Sequence, residues 1–167
     1  MTAPNAVGYA TPIHVFRFQV DFAADPGGGS VPLCGGAFSE CTGLEATMEP
    51  KVIKEGGGNY GAAQRPGQVT FATVVLKRGM TTSRDLWKWW ELVTNRGKFA
   101  YRLTATIRVF AVDGSAVLAW RLVKAMPVKL KAADLNARGT EVGIEELHLA
   151  HEGLLLVDDG SAGGRLA

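Results

Sequence analysis

The sequence predicts a mainly β fold: an antiparallel β-barrel, or two packed sheets, with one flanking α-helix. Two observations carry this. Apolar and polar residues alternate with period two through most of the chain, and one segment, about 82–95, changes to helical spacing. Glycine-rich stretches and an Asp-Gly pair punctuate the alternating runs.

From the N-terminus, His14, Phe16, Phe18, Val20 and Phe22 share one face of a strand over 14–22. A glycine-rich loop follows at 23–36. Two further strand candidates, 44–54 and 68–77, flank the segment EGGGNYGAAQRPG at 55–67. That segment is longer than a hairpin turn needs, and loops of such length in a small domain usually have a function or move. In 82–95, Leu86, Trp90 and Val93 recur at i, i+4 and i+7, which places Trp90 on the inward stripe with Trp87 and Trp89 to either side. Thr82 and Asp85 fit a relaxed capping box, and Asn95-Arg96-Gly97 reads as a basic last turn and stop.

Residues 101–109 alternate cleanly. Tyr101, Leu103, Ala105, Ile107 and Val109 face one way, and Arg102, Thr104, Thr106 and Arg108 the other. Asp113-Gly114 marks a tight turn into a partner strand, 115–126, with Leu118, Trp120 and Leu122 on one face. Val142 and Ile144 then set one phase and Leu147 and Leu149 the opposite one, which predicts a β-bulge near Glu145-Glu146. The whole, 1–167, reads as a single domain with flexible ends at about 1–11 and 158–167.

Several function classes find no support. A net charge of +2 gives no case for nucleic-acid binding. No run reaches the ~18 apolar residues of a membrane span, and the N-terminus lacks a secretory pattern, so the expected site of synthesis is the cytoplasm. Cys34 and Cys41 fit neither a zinc knuckle nor a redox motif; they read as two small semi-buried thiols, with a disulfide as the alternative. The 55–67 loop lacks the Gly-Lys-Ser/Thr of a phosphate cradle, and His148–Glu152 (HLAHE) matches no metalloprotease spacing. Adjacent carboxylates such as Glu145 and Glu146 diverge on a strand, which suits general acid–base work poorly. The expectation is a chain with no catalytic residues, metal or cofactor.

Three of the four tryptophans fall within four positions. Helical spacing favours packing against the sheet for Trp90. For Trp87 and Trp89, burial against another subunit and a stacking platform for a ligand both stay open.

Taken in order, IHVFRFQVDF (13–22), AFSECTGL (37–44), VIKEGGG (52–58), RPG (65–67), LKRG (76–79), LWKWW (86–90) and LNARGTEVGIEELHLAHEGL (135–154) resemble the inner tube proteins of contractile tails. These include the tubes of myophages, R-type bacteriocins and extracellular injection systems. The resemblance covers about 12–157, and the 23–36 loop departs from it in length and glycine content. It implies hexameric rings stacked into a hollow tube inside a contractile sheath, meeting baseplate or hub and tube-terminating proteins, with DNA or effector cargo in the lumen. It implies assembly in the bacterial cytoplasm and a final place in a phage tail or phage-tail-like particle. With it come expected inter-subunit or inter-ring contacts at Glu55, Gly56, Gly57, Gly58, Asn59, Tyr60, Arg65, Pro66, Trp87 and Trp89, and helix packing by Leu86, Trp90 and Val93. A tube-initiating ring at the baseplate and, from another class, a ligand-binding β-barrel are the alternatives.

Overall fold

The computed structural model describes residues 12–25, 30–31, 38–54, 56–58, 60–95 and 100–157. The expected flexible ends, most of the 23–36 loop, Cys34 and Gly97 lie outside them. In chain order the elements are β1 (Phe18–Ala24), β2 (Ser30–Val31), β3 (Glu40–Thr42), β4 (Ala46–Met48), β5 (Lys51–Ile53), β6 (Ala63–Arg65), β7 (Val69–Phe71) and β8 (Val74–Gly79). They continue with α1 (Asp85–Thr94), β9 (Leu103–Phe110), β10 (Ala116–Lys131), β11 (Ile144–Ala150) and β12 (Gly153–Val157).

The main sheet runs β2-β1-β9-β10-β11-β8-β3, with β12 also paired to β10. All its pairings are antiparallel. The path ends at β2 and β3, so the strands curve around a core without closing into the expected barrel. The curvature comes from β10. Its first part pairs with β9 and β12, and its last part, Met126–Lys131, pairs with β11. Lys124 sits at the crossing with φ of 51°, a left-handed conformation that L-residues adopt only at a cost. On the facing segment between β11 and β12, Glu152 donates its N–H to the Val123 carbonyl, 2.9 Å away.

Period-two alternation builds the core directly. Across β1, β9 and β10, cross-strand partners form the rungs Phe22–Ala105–Leu122, Val20–Ile107–Trp120 and Phe18–Val109–Leu118. On the other half, β8 and β11 contribute the pairs Val74–Leu149, Leu76–Leu147 and Arg78–Glu145, all buried. One hydrophobic cluster joins these faces to α1 and Phe38.

Several features differ from the sequence reading, among them the start of β1, which falls at Phe18 and not at 14. β10 runs to Lys131, past the expected end at 126, because Pro127 falls at a register shift where a missing N–H is tolerated. The bulge expected near Glu145-Glu146 is absent, and β11 pairs with β8 in unbroken register from Ile144 to Leu149. Ile144 and Val142 are exposed, and it is Glu145 that shares the inward phase of Leu147 and Leu149. The helix begins later than predicted, at Asp85, with Arg84 as N-cap and no side-chain capping bond, so the Thr82/Asp85 box does not form.

The helix face is also rotated by one position. Leu86, Trp89 and Val93 are buried and Trp90 is half-buried. Spacings i, i+3, i+7 and i, i+4, i+7 describe the same stripe, so periodicity alone does not choose between adjacent rings. Phe22 chooses: its ring meets Trp89 edge-on at 5.5 Å.

Candidate assembly interface

The segment between β3 and β8 leaves the sheet. β4 pairs with β7 and β5 with β6, which makes one antiparallel hairpin arm in two sections. The interruption is written in the sequence: Pro50 and Pro66 carry no N–H for the ladder. Beside Pro66, Gly67 lets the strands touch, since a Cβ there would lie 1.9 Å from the Glu49 carbonyl oxygen. At the base, Gly43 has φ of +86° and a Cβ on it would lie 2.1 Å from the Thr73 oxygen. Nothing larger fits where the arm joins the body.

No described residue between Glu45 and Thr70 is buried. Met48, Val52, Ile53 and Val69 are exposed apolar side chains on the arm, and Tyr60 near its tip is fully exposed. Gly56, Gly57 and Gly58 form the turn region, Gly57 and Gly61 with positive φ, while Arg65 ends β6 and Pro66 follows it. Glu55 and Asn59 lie outside the described residues. An isolated two-stranded ribbon is marginal in water, and an apolar one lacks a partner that would cover it.

The tryptophan pair expected at an interface is divided. Trp87, 40 % exposed, is on the outer side of α1, but Trp89 is 2 % exposed inside the subunit core. Trp89 is therefore a core residue, and a stacking platform built from both rings does not exist. Trp90, expected as the core anchor, takes the half-buried flank.

The helix is fixed at its start by a buried ion network. Arg78 is 2 % exposed and Glu145 4 % exposed. Arg78 donates from Nε to the Glu145 carboxylate and from Nη2 to Asp85 Oδ1, the latter at 2.8 Å. Asp85 also accepts the Leu86 N–H at 3.0 Å. Burial pushes the Asp85 carboxyl up, but hydrogen bonds from Arg78, Ser83 and the Leu86 N–H, with the guanidinium charge, outweigh it and hold the group below its ordinary range. This network was not read from the sequence, yet the signal was there: in LKRG, Arg78 has the parity of Val74 and Leu76.

Burial pushes the Cys41 thiol up to about 11, so it stays protonated and unreactive at neutral pH. His148 lies 3.4 Å from Glu146, and His151 Nδ1 lies 3.0 Å from the Gly153 carbonyl oxygen. Among the described residues no three His, Cys, Asp or Glu side chains converge to hold a metal, and no helix is long and apolar enough to cross a membrane.

Comparison with known proteins decides the family. Residues 14–155 match the T4-like virus tail tube protein gp19 family. The chain belongs to this family. No curated protein matches it in sequence. Among solved structures, a chain of the anti-feeding prophage baseplate superposes with a TM-score of 0.73 at 25 % identity, covering 92 % of this chain and 100 % of that one. A chain of the PVC extracellular contractile injection system sheath–tube complex gives 0.68 at 19 % identity, covering 94 % and 99 %. A type six secretion system protein shares the fold more distantly, with a TM-score of 0.52 at 10 % identity, covering 90 % and 93 %. As a tail tube protein, the chain is a structural component of a phage-tail-like particle, with an open mainly β fold, a projecting arm and exposed apolar side chains.

Proposed function

We propose that this tail tube protein forms hexameric rings that stack into the hollow inner tube of a contractile injection apparatus. Sheath contraction drives the tube through a target envelope, and the lumen conducts DNA or effector cargo. The role is mechanical, with no chemical step. The observation that carries the reading is the hairpin arm, whose exposed apolar side chains have no cover among the described residues. A second copy supplies that cover, through Gly56, Gly57, Gly58, Tyr60, Arg65 and Pro66, with Trp87 as a further contact.

Free strand edges support ring formation. Among the described residues, β12 pairs only with β10, and its Leu155 and Leu156 are exposed. An apolar edge strand is an aggregation hazard unless another chain pairs with it, and closure of a ring removes the edge. The tube meets a sheath, baseplate or hub proteins, and a terminator, all assembled in the bacterial cytoplasm. Negative-stain microscopy of the purified protein tests this: rings and tubes are expected. Only monomers across a range of salt, with baseplate proteins present, would overturn it.

One observation favours a second reading, a tube-initiating ring at the baseplate. The baseplate chain matches with higher identity and TM-score than the sheath–tube chain. Overexpression separates the two, because an initiator stops at one or two rings and a main tube subunit continues into long polymers.

A further inference from the structure

The arm and a second unpartnered surface lie at opposite ends of the same strand. β8 begins at Val74, beside Thr73, where the arm joins the body. It ends at Gly79, and Met80 donates its N–H to the Gly143 carbonyl at 2.7 Å. Six residues of strand put about 20 Å between those points. At the Met80 end is a cavity of about 420 Å³ under the loop that joins β10 to β11.

That cavity has a distinct chemistry. Leu135, Val142 and Met80 present exposed apolar surface around it. Asp134, Glu141 and Glu146 line it with one opposing lysine, Lys131. The loop has its own supports: Asn136 Oδ1 accepts the Arg138 N–H at 3.0 Å, and Gly143 lets Ala133 approach so closely that a Cβ would lie 2.7 Å from it. The outer half of the arm is its complement. It carries exposed Val52, Ile53 and Tyr60, and Lys51, Lys54 and Arg65 outnumber the one acid, Glu55.

We propose that the acidic, apolar-rimmed cavity at the Met80–Gly143 end receives the β5–β6 arm of a second copy stacked head to tail. This rests on the reading of the chain as a stacking tube subunit. Complementary surfaces at opposite ends of one element make a heterologous contact, which propagates along an axis when its rotation does not close a ring. The strand edges remain for the lateral contacts within a ring. Opposite charge sets the orientation, and the apolar side chains supply the burial.

Placing a photo-crosslinking benzoylphenylalanine at position 60 of the full chain tests the receiver. Mass spectrometry of the irradiated assemblies is expected to join position 60 to residues 131–146 of another copy. Links to any other part of a second copy overturn the receiver and leave the tube reading standing. Absence of links between copies in assemblies that microscopy shows as tubes does the same. A chain that stays monomeric with baseplate proteins present overturns both. Charge reversal gives an independent readout. Lys54→Glu and Glu141→Lys are each expected to cut the population of stacked rings about tenfold, and the double variant to restore it. Failure of that rescue, with both single variants folded, also counts against the cavity as receiver.

Discussion

Arg78 and Glu145 are direct cross-strand partners on β8 and β11, and they occupy the place in the buried ladder where two leucines would be expected. Removing one partner strands the other in a dry site. Glu145→Ala is expected to cost about 3 kcal/mol, moderated by the remaining Asp85 contact, and to loosen the start of α1. Urea unfolding followed by far-UV circular dichroism measures this. Lys77→Ala, which breaks an exposed pair with Glu40, is the control and should leave the midpoint almost unmoved.

The same network makes stability acid-sensitive. The Asp85 carboxyl sits below its ordinary value of 3.8 in the folded state. A carboxyl lowered by folding contributes its full stabilisation above the unfolded value and loses it as pH falls through the folded one. Stability from this source should be flat at neutral pH and fall below about pH 4, and Asp85→Asn should flatten that part of the profile. Equal acid slopes for wild type and variant would refute this.

Trp87 and Trp89 should separate cleanly under mutation. Trp89→Ala removes a fully buried ring and is expected to cost about 3–5 kcal/mol, enough to leave little folded protein. Trp87→Ala is expected to leave the urea midpoint nearly unchanged and to weaken assembly seen by microscopy. A folding defect in Trp87→Ala with intact assembly would reverse the assignment.

The glycines of the arm should also differ. Gly43→Ala introduces both an unfavourable φ and a collision with backbone, at an expected cost of about 2 kcal/mol or more. Gly57 has a similar φ but open space around it, so Gly57→Ala should cost only about 1 kcal/mol. Thermal unfolding of the two variants side by side checks the order.

Shortening the arm should uncouple folding from assembly. Replacing residues 50–66 with an Asn-Gly turn removes no side chain that is buried among the described residues, and the turn suits a tight hairpin. The melting temperature is expected to stay within a few degrees of wild type while long tubes disappear. Tubes of normal length from the shortened chain would remove the arm from the assembly.

The strands were legible where one face meets the core and the other meets water. The rungs through Phe18–Phe22, Ala105–Val109 and Leu118–Leu122 follow from alternation alone. Reading failed where burial and polarity part company. Glu145 on a buried face looked like a phase error, and so suggested a bulge that a single ion pair makes unnecessary. The choice of Trp89 over Trp90 depends on Phe22, more than sixty residues away, which no local period encodes. The arm was visible only as two strands and a long glycine-rich loop, because its apolar side chains are exposed and have no cover among the described residues. The fold family, by contrast, was legible from short ordered motifs, including FSECTGL and LKRG, which mark the arm base and the buried arginine.

The crossing at Lys124 bears on how a subunit carries load. β10 and the chain from β11 to β12 pass together from one half of the sheet to the other, with backbone pairing on both sides of the break. Sliding one half past the other would therefore mean tearing main-chain hydrogen bonds, where two separate layers in side-chain contact could simply shear. The fold is braced like a folded plate, with the crease stiffening both panels. A tube wall made of such plates shortens little under thrust and delivers the stroke to its far end.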